Sequence, residues 1–400
     1  MLKLIEFKTY KKFDNFTALQ EVAKDSKIKK AFGEGSAVFC TAKTVGDFLA
    51  KNKNNALLSE DNSLIYKQFQ LSKKNDIVRE YRDMTKRTFN LTGLIDFSNG
   101  QVNAWNQKLF NAIFDDIEIA GVDRYFHYEK ELNSDFYNDV SIADILALDP
   151  NKVVFQLKKQ FGANSMEEVG KQIAEQKEEK LQDLISKEFT KEKVLEILPL
   201  FSTREDAKIK KLVSESASVP TIYEYIMAIA WFHISSEDFK ITESLNLTLD
   251  GNMRPLSHAV GGDGDIIINY PNLALMLEVT LMNSQAQRRG EWEPVLRHAT
   301  NLTVEKSPRK VITLFIADDL DENTINIWRA VASMPMKATS GKGYSRSVKI
   351  FPLVNEQIIK MLSNNIVEAE LLTGIEESCE EIAESFDQNW RQKILNKATL

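Results

Sequence analysis

The sequence predicts an α/β fold for residues 216–400, a mixed sheet flanked by helices, with helical and winged-helix-like segments ahead of it. Two observations carry this. First, Ile266–Ile268 and Leu273–Val279 are continuously apolar, the pattern of strands buried on both faces. Second, helical spacings alternate with short apolar runs from residue 220 onward: a helix at 221–234, a hairpin, a helix to 302, a strand at 310–317, a helix at 323–334 and a strand at 348–354. Such alternation makes a sheet covered by helices on both sides. A length of 400 residues asks for two or three cores, and the chain divides into 1–130, 131–215 and 216–400.

In chain order, Phe16–Ala23 and Val45–Asn52 have amphipathic helical spacing, the second with Thr44 or Asp47 near its start. Asp76–Lys86 predicts a basic helix. Arg87–Ile95 alternates like a strand, and Ser98-Asn99-Gly100 is a hairpin turn signal. Helices followed by a hairpin suggest a winged helix, with Lys86 and Arg87 at the hairpin base as candidate phosphate contacts. Residues 1–100 carry 18 Lys and Arg against 12 Asp and Glu, so the net charge of −7 conceals a basic N-terminal part and an acidic remainder. A DNA-facing surface explains that asymmetry, and a solvated basic face explains it nearly as well. Met166–Leu184 and Lys191–Leu198 are helical and highly charged, which reads as a helical linker with no chemistry of its own. Ser214–Ser218 marks its end, and Pro220 suits a first helical turn.

The hairpin holds the chemistry. Gly261, Gly262 and Gly264 suit a sharp turn into Asp265, which opens the first apolar run, and Glu278 sits near the end of the second. A carboxylate inside a buried strand needs a partner, and Asp265 on the neighbouring strand is the first candidate for sharing a cation. Oxygen ligands select hard ions, so Mg²⁺ is the expected metal. In the next helix Pro294 places the regular part near Glu291, and Glu291, Val295 and His298 then share one face. Arg288, Arg289 and Arg297 lie close by, to bind phosphate or to neutralise the acids. Taken singly, each has a plainer reading: Asp265 as a turn residue, Glu224 as a first-turn acid favoured by the helix dipole, His298 as a hydrogen-bonded core histidine.

Jointly, two acids on a hairpin and a third acid with a histidine on the following helix resemble the PD-(D/E)XK nuclease core. Glu278-Val-Thr280, Gln287-Arg-Arg-Gly-Glu291 and Val295-Leu-Arg-His298 are similar to the catalytic signature of AlwI-like type IIS restriction and nicking endonucleases. The acids recur at intervals of thirteen residues, 265, 278 and 291. The resemblance covers roughly the last 180 residues. It implies that Asp265, Glu278, Glu291 and His298 are catalytic, and Val219-Pro-Thr-Ile-Tyr-Glu224 puts Glu224 on a fourth acid. It implies that Asp265, Glu278 and the Val279 carbonyl hold Mg²⁺, and that double-stranded DNA is cut at an offset from a short recognition sequence. Lys86, Arg87, Arg288 and Arg289 are the expected DNA contacts. Thr280 stands where the wider superfamily carries a lysine. Three alternatives stay open: a strand-specific nicking enzyme, a subunit that acts in a homodimer or beside a second nuclease subunit, and a decayed DNA-binding protein.

Composition excludes other classes. The apolar fraction of 43% and charged fraction of 27% are ordinary for a globular protein. The longest apolar helix candidate, Ile226–Ile234, is too short to span a bilayer, and residues 1–13 lack the apolar core of a secretory signal. Cys40 and Cys379 suggest no disulfide framework, so a cytoplasmic protein with no membrane partner is expected. His127, His233 and His258 show no ligand spacing for zinc.

Overall fold

The computed structural model describes residues 43–51, 53, 61–98, 101–114, 148–258, 264–339, 341, 343–380 and 389–400. The helix expected at Phe16–Ala23, the turn residues Asn99 and Gly100, and His127, Gly261 and Gly262 lie outside them. The chain forms two compact units, Met1–Thr88 and Phe89–Leu400. In the first, α1 (Val45–Lys51) starts where the Thr44 hydroxyl accepts from Asp47 N, 3.3 Å away.

Most of α2 (Asn62–Leu91) follows. Arg87–Leu91, expected as the start of a strand, is therefore the last turn of a helix. Phe89 and Leu91 fit either period. The ending is set by Gly93, whose φ of 64° lets its N–H fold back onto the Asn90 carbonyl. The hairpin itself forms immediately afterwards: β1 (Ile95–Ser98) pairs antiparallel with β2 (Gln101–Ala104).

Helix α3 (Gln107–Phe114) packs with α4 (Pro150–Phe161) and α5 (Met166–Glu188) around Ala112, Leu157, Phe161 and Val169. Helices α6 (Lys191–Ser202) and α7 (Asp206–Leu212) lead to α8 (Val219–Ile234). Ser218 caps α8 by accepting from Thr221 N, and Pro220 fills its first turn. Apart from Pro220 and its last two ring residues, Phe232 and His233, α8 is buried along its whole length. A helix apolar on all sides belongs inside a core. Leu181, Ile185, Ile197 and Phe201, within the segment expected as a linker, share one continuous core with α8 and the sheet.

After the single turn α9 (Ile241–Ser244) come β3 (Leu247–Leu249) and β4 (Pro255–His258), an antiparallel pair. The main sheet has four strands, β5 (Ile266–Asn269), β6 (Leu273–Thr280), β7 (Lys310–Ala317) and β10 (Ile350–Val354), in the order β10-β7-β6-β5. β5 runs antiparallel to β6, whereas β6, β7 and β10 are parallel. Between β6 and β7 lie α10 (Ser284–Gly290) and α11 (Trp292–Lys306), broken at Glu291 with Pro294 in the first turn of the second. Helix α12 (Glu322–Val331) and the short strands β8 (Met336–Lys337) and β9 (Tyr344–Ser345) precede β10; α13 (Asn355–Asn364), α14 (Glu368–Glu380) and α15 (Trp390–Lys397) follow it.

Strand alternation sorts the central side chains between two cores. Leu275, Leu277 and Val279 face α8 and α13, in one core with Ile312, Leu314 and Ile316. Ala274 and Met276 face α11, in the other core with Val295, Ala299 and Phe315. Glu278 and Thr280, two and four residues beyond Met276, fall on the α11 face. This parity positions the site.

Candidate active site

Ile266 pairs with Leu277, and one step further along the same antiparallel register Asp265 stands beside Glu278. Such cross-strand neighbours hold their Cβ atoms about 5 Å apart. Asp265 is fixed by Val279 N–H, which donates to its carboxylate at 2.9 Å. Gly264 permits the close approach, since a Cβ there would lie 3.1 Å from Glu278 Oε1 and 2.7 Å from Met276 Cγ. From α11, His298 Nδ1 meets Glu278 Oε1 at 2.9 Å, with both side chains largely buried. The Thr280 hydroxyl donates to Glu291 Oε1 at 3.0 Å and accepts from Met282 N. Glu291 owes its position to the break between α10 and α11, which leaves it between the helices rather than within one.

Glu224 enters from α8. Its side chain is 7% exposed, and its two oxygens lie 3.0 and 3.1 Å from His258 Nδ1 at the end of β4. His258 Nε2 is 3.0 Å from Thr221 Oγ1, which in turn is 2.7 Å from Ser218 Oγ. With the ring proton assigned to Nδ1, His258 donates to Glu224 and accepts from Thr221. Glu224, His258, Asp265, Glu278, Glu291 and His298 line one cleft of about 420 Å³. Sequence reasoning set His258 aside because its partner is 34 residues away on a different element, so no local spacing marks it.

The acids repel one another. Burial, then the charges of Asp265 and Glu278, pushes the Glu224 carboxyl up to about 9. Burial and the neighbouring Glu278 push Asp265 up to about 8, opposed by its bond from Val279 N–H. Burial, then Glu291, pushes Glu278 up to about 8. A cation among these oxygens would relieve both the desolvation and the repulsion. The ligands that the resemblance implies, Asp265, Glu278 and the Val279 main-chain oxygen, are all oxygen donors, the chemistry that suits a hard divalent ion. This set needs only two acidic side chains, and among the described residues no three His, Cys, Asp or Glu side chains form a metal cage.

The expected arginines are elsewhere. Arg288 donates from Nε to the buried Asp321 at 3.1 Å, and Arg289 is exposed; neither lines the cleft. Arg297 pairs with Glu293 on its own helix. Lys86 and Arg87 belong to α2, where Arg87 pairs with Asp83 at 2.8 Å.

Comparison with known proteins identifies the family of the chain. The family model described as AlwI restriction endonuclease matches residues 3–361, and the chain belongs to that family. It is therefore a DNA-cleaving restriction enzyme. The small subunit (R.BspD6I2) of the heterodimeric restriction endonuclease R.BspD6I is a similar solved structure, at 16% identity and a TM-score of 0.36, covering 51% of this chain and 97% of that one. No curated protein matches the chain. No helix among the described residues is long and apolar enough to cross a membrane.

Proposed function

We propose that the cleft is the cutting site of a Mg²⁺-dependent, type IIS-like endonuclease that hydrolyses DNA at an offset from its recognition sequence. The observation that carries this reading is the cross-strand pair Asp265 and Glu278, joined in one cleft by Glu291, Glu224 and two histidines. Asp265, Glu278 and the Val279 carbonyl would hold the ion. When bound, Mg²⁺ supplies charge neutralisation of the phosphodiester and a lowered pKa for a water molecule.

The protein's own groups do the rest. His298 fixes the Glu278 carboxylate through Nδ1 and is placed to meet a phosphate oxygen or pass on a proton. Glu291, held by the Thr280 hydroxyl, orients the attacking water. Thr280 thus serves the position of the usual lysine indirectly, by steering a carboxylate. His258 and Thr221 hold Glu224 in the cleft as the fourth acid. Lys86 and Arg87 on α2 are the proposed recognition contacts, and cutting at an offset is what the family resemblance implies.

The test is a Glu278→Gln variant, assayed for DNA binding by mobility shift and for cleavage in parallel. Retained binding with lost cleavage supports the assignment; wild-type cleavage would sink it.

A further inference from the structure

Arg204 follows the C-terminus of α6 in an unusual conformation. Glu205 N donates to Leu200 O at 3.0 Å and Arg204 N to Phe201 O at 3.2 Å, the bond pair that closes a helix through a left-handed residue. That residue is Arg204, with φ 56°. Glycine is the default there because a Cβ crowds the backbone at positive φ. Gly93, Gly162 and Asn365 hold the equivalent positions after three other helices, and Thr399 closes the last one. Backbone outliers of this kind concentrate where function over-determines them.

Arg204 also lines the acidic cleft, and among the described lining residues it is the one Lys or Arg. Its Nε and Nη2 each lie 3.3 Å from an Asp206 oxygen, in a pair that is about half exposed (56% and 45%). Exposed pairs of this kind contribute little, so a phosphate can replace Asp206 at small cost and accept a bidentate contact. Tyr223 lines the same cleft and packs on Phe201 at 4.8 Å; its buried hydroxyl has no hydrogen-bond partner among the described residues.

We propose that Arg204 is a phosphate-binding residue of the cutting site, taking a DNA backbone phosphodiester beside the four acids. This rests on the cleft being the cutting site. The exchange of Asp206 for a phosphate oxygen delivers the substrate's charge to a cleft that carboxylates would otherwise repel.

The experiment compares wild type, Arg204→Gly, Arg204→Lys and Glu278→Gln for supercoiled-plasmid cleavage in Mg²⁺ across a salt series, with melting temperatures. Arg204→Gly relaxes the backbone and should melt about 2 °C higher. It should also raise KM about tenfold and make the logarithmic salt dependence shallower by about one phosphate contact. Arg204→Lys should recover part of KM and none of the added stability. An Arg204→Gly enzyme with wild-type KM and salt dependence overturns the proposal. So does one that melts lower and loses kcat with KM unchanged, which would make Arg204 structural. Glu278→Gln separates the two readings: if it cleaves like wild type, the cleft is misassigned. If Glu278→Gln is dead while both Arg204 variants behave as wild type, the cleft stands and the phosphate contact falls.

Discussion

Glu278 is a costly residue to bury, and its cost identifies its task. A neutral isostere keeps the bond with His298 Nδ1 and removes the repulsion from Glu291. Glu278→Gln should therefore melt above the metal-free wild type near pH 8, measured by calorimetry, while cleaving at least about 100-fold more slowly. Thr280→Val removes the hydroxyl that donates to Glu291 while leaving side-chain volume nearly unchanged. We expect about a 10- to 100-fold loss in single-turnover rate, with plasmid affinity unchanged; an unaltered rate would remove Thr280 from the mechanism. Some of this was legible in the sequence. An acid in a continuously apolar strand announces itself, and the intervals of thirteen residues joined Asp265, Glu278 and Glu291. His258 and Arg204 announce nothing. The first acts through a contact 34 residues away, and the second through a backbone angle that no side-chain pattern encodes. Its left-handed conformation costs about 1–2 kcal/mol, a reason for glycine there that the sequence overrides.

At the scale of elements, the strands β6 and β7 follow their apolar runs to within one residue because both faces are buried. Helix α8 was visible from its Pro220 start, but its near-complete burial was not, since an apolar helix and its surroundings are separate facts. Arg87–Leu91 misled because alternate apolar residues over five positions fit a helix as well as a strand, and the terminator was Gly93. The helices of 166–213 were recognised, yet a helical period does not say which core its apolar face joins. One capping residue ties local structure to the site: Ser218 caps α8 and also meets Thr221, the neighbour of His258. Ser218→Ala should lower unfolding stability by about 1 kcal/mol, read as a denaturant midpoint. It should also slow cleavage through the loosened His258–Glu224 pair; a stability loss with full activity would confine Ser218 to the cap.

For the whole molecule, the acidic cleft couples folding, pH and metal. Glu224, Asp265 and Glu278 ionise with difficulty in the folded chain, whereas unfolded carboxylates ionise near their ordinary values. Groups raised in this way contribute stability that is complete at low pH and is lost as pH rises through the folded values. The metal-free protein should therefore lose melting temperature between about pH 5 and 9. Added Mg²⁺ should restore most at the alkaline end, where the freed carboxylates bind it. Equal stabilisation by Mg²⁺ at both ends would disconnect the ion from these acids.

The most direct test incubates wild type and Glu278→Gln with supercoiled plasmid, in Mg²⁺ or in EDTA, and maps the ends by run-off sequencing. The account predicts ends at a fixed offset from one short motif, made by the wild type in Mg²⁺ alone. Ends that persist in EDTA, or that Glu278→Gln makes equally well, would contradict it.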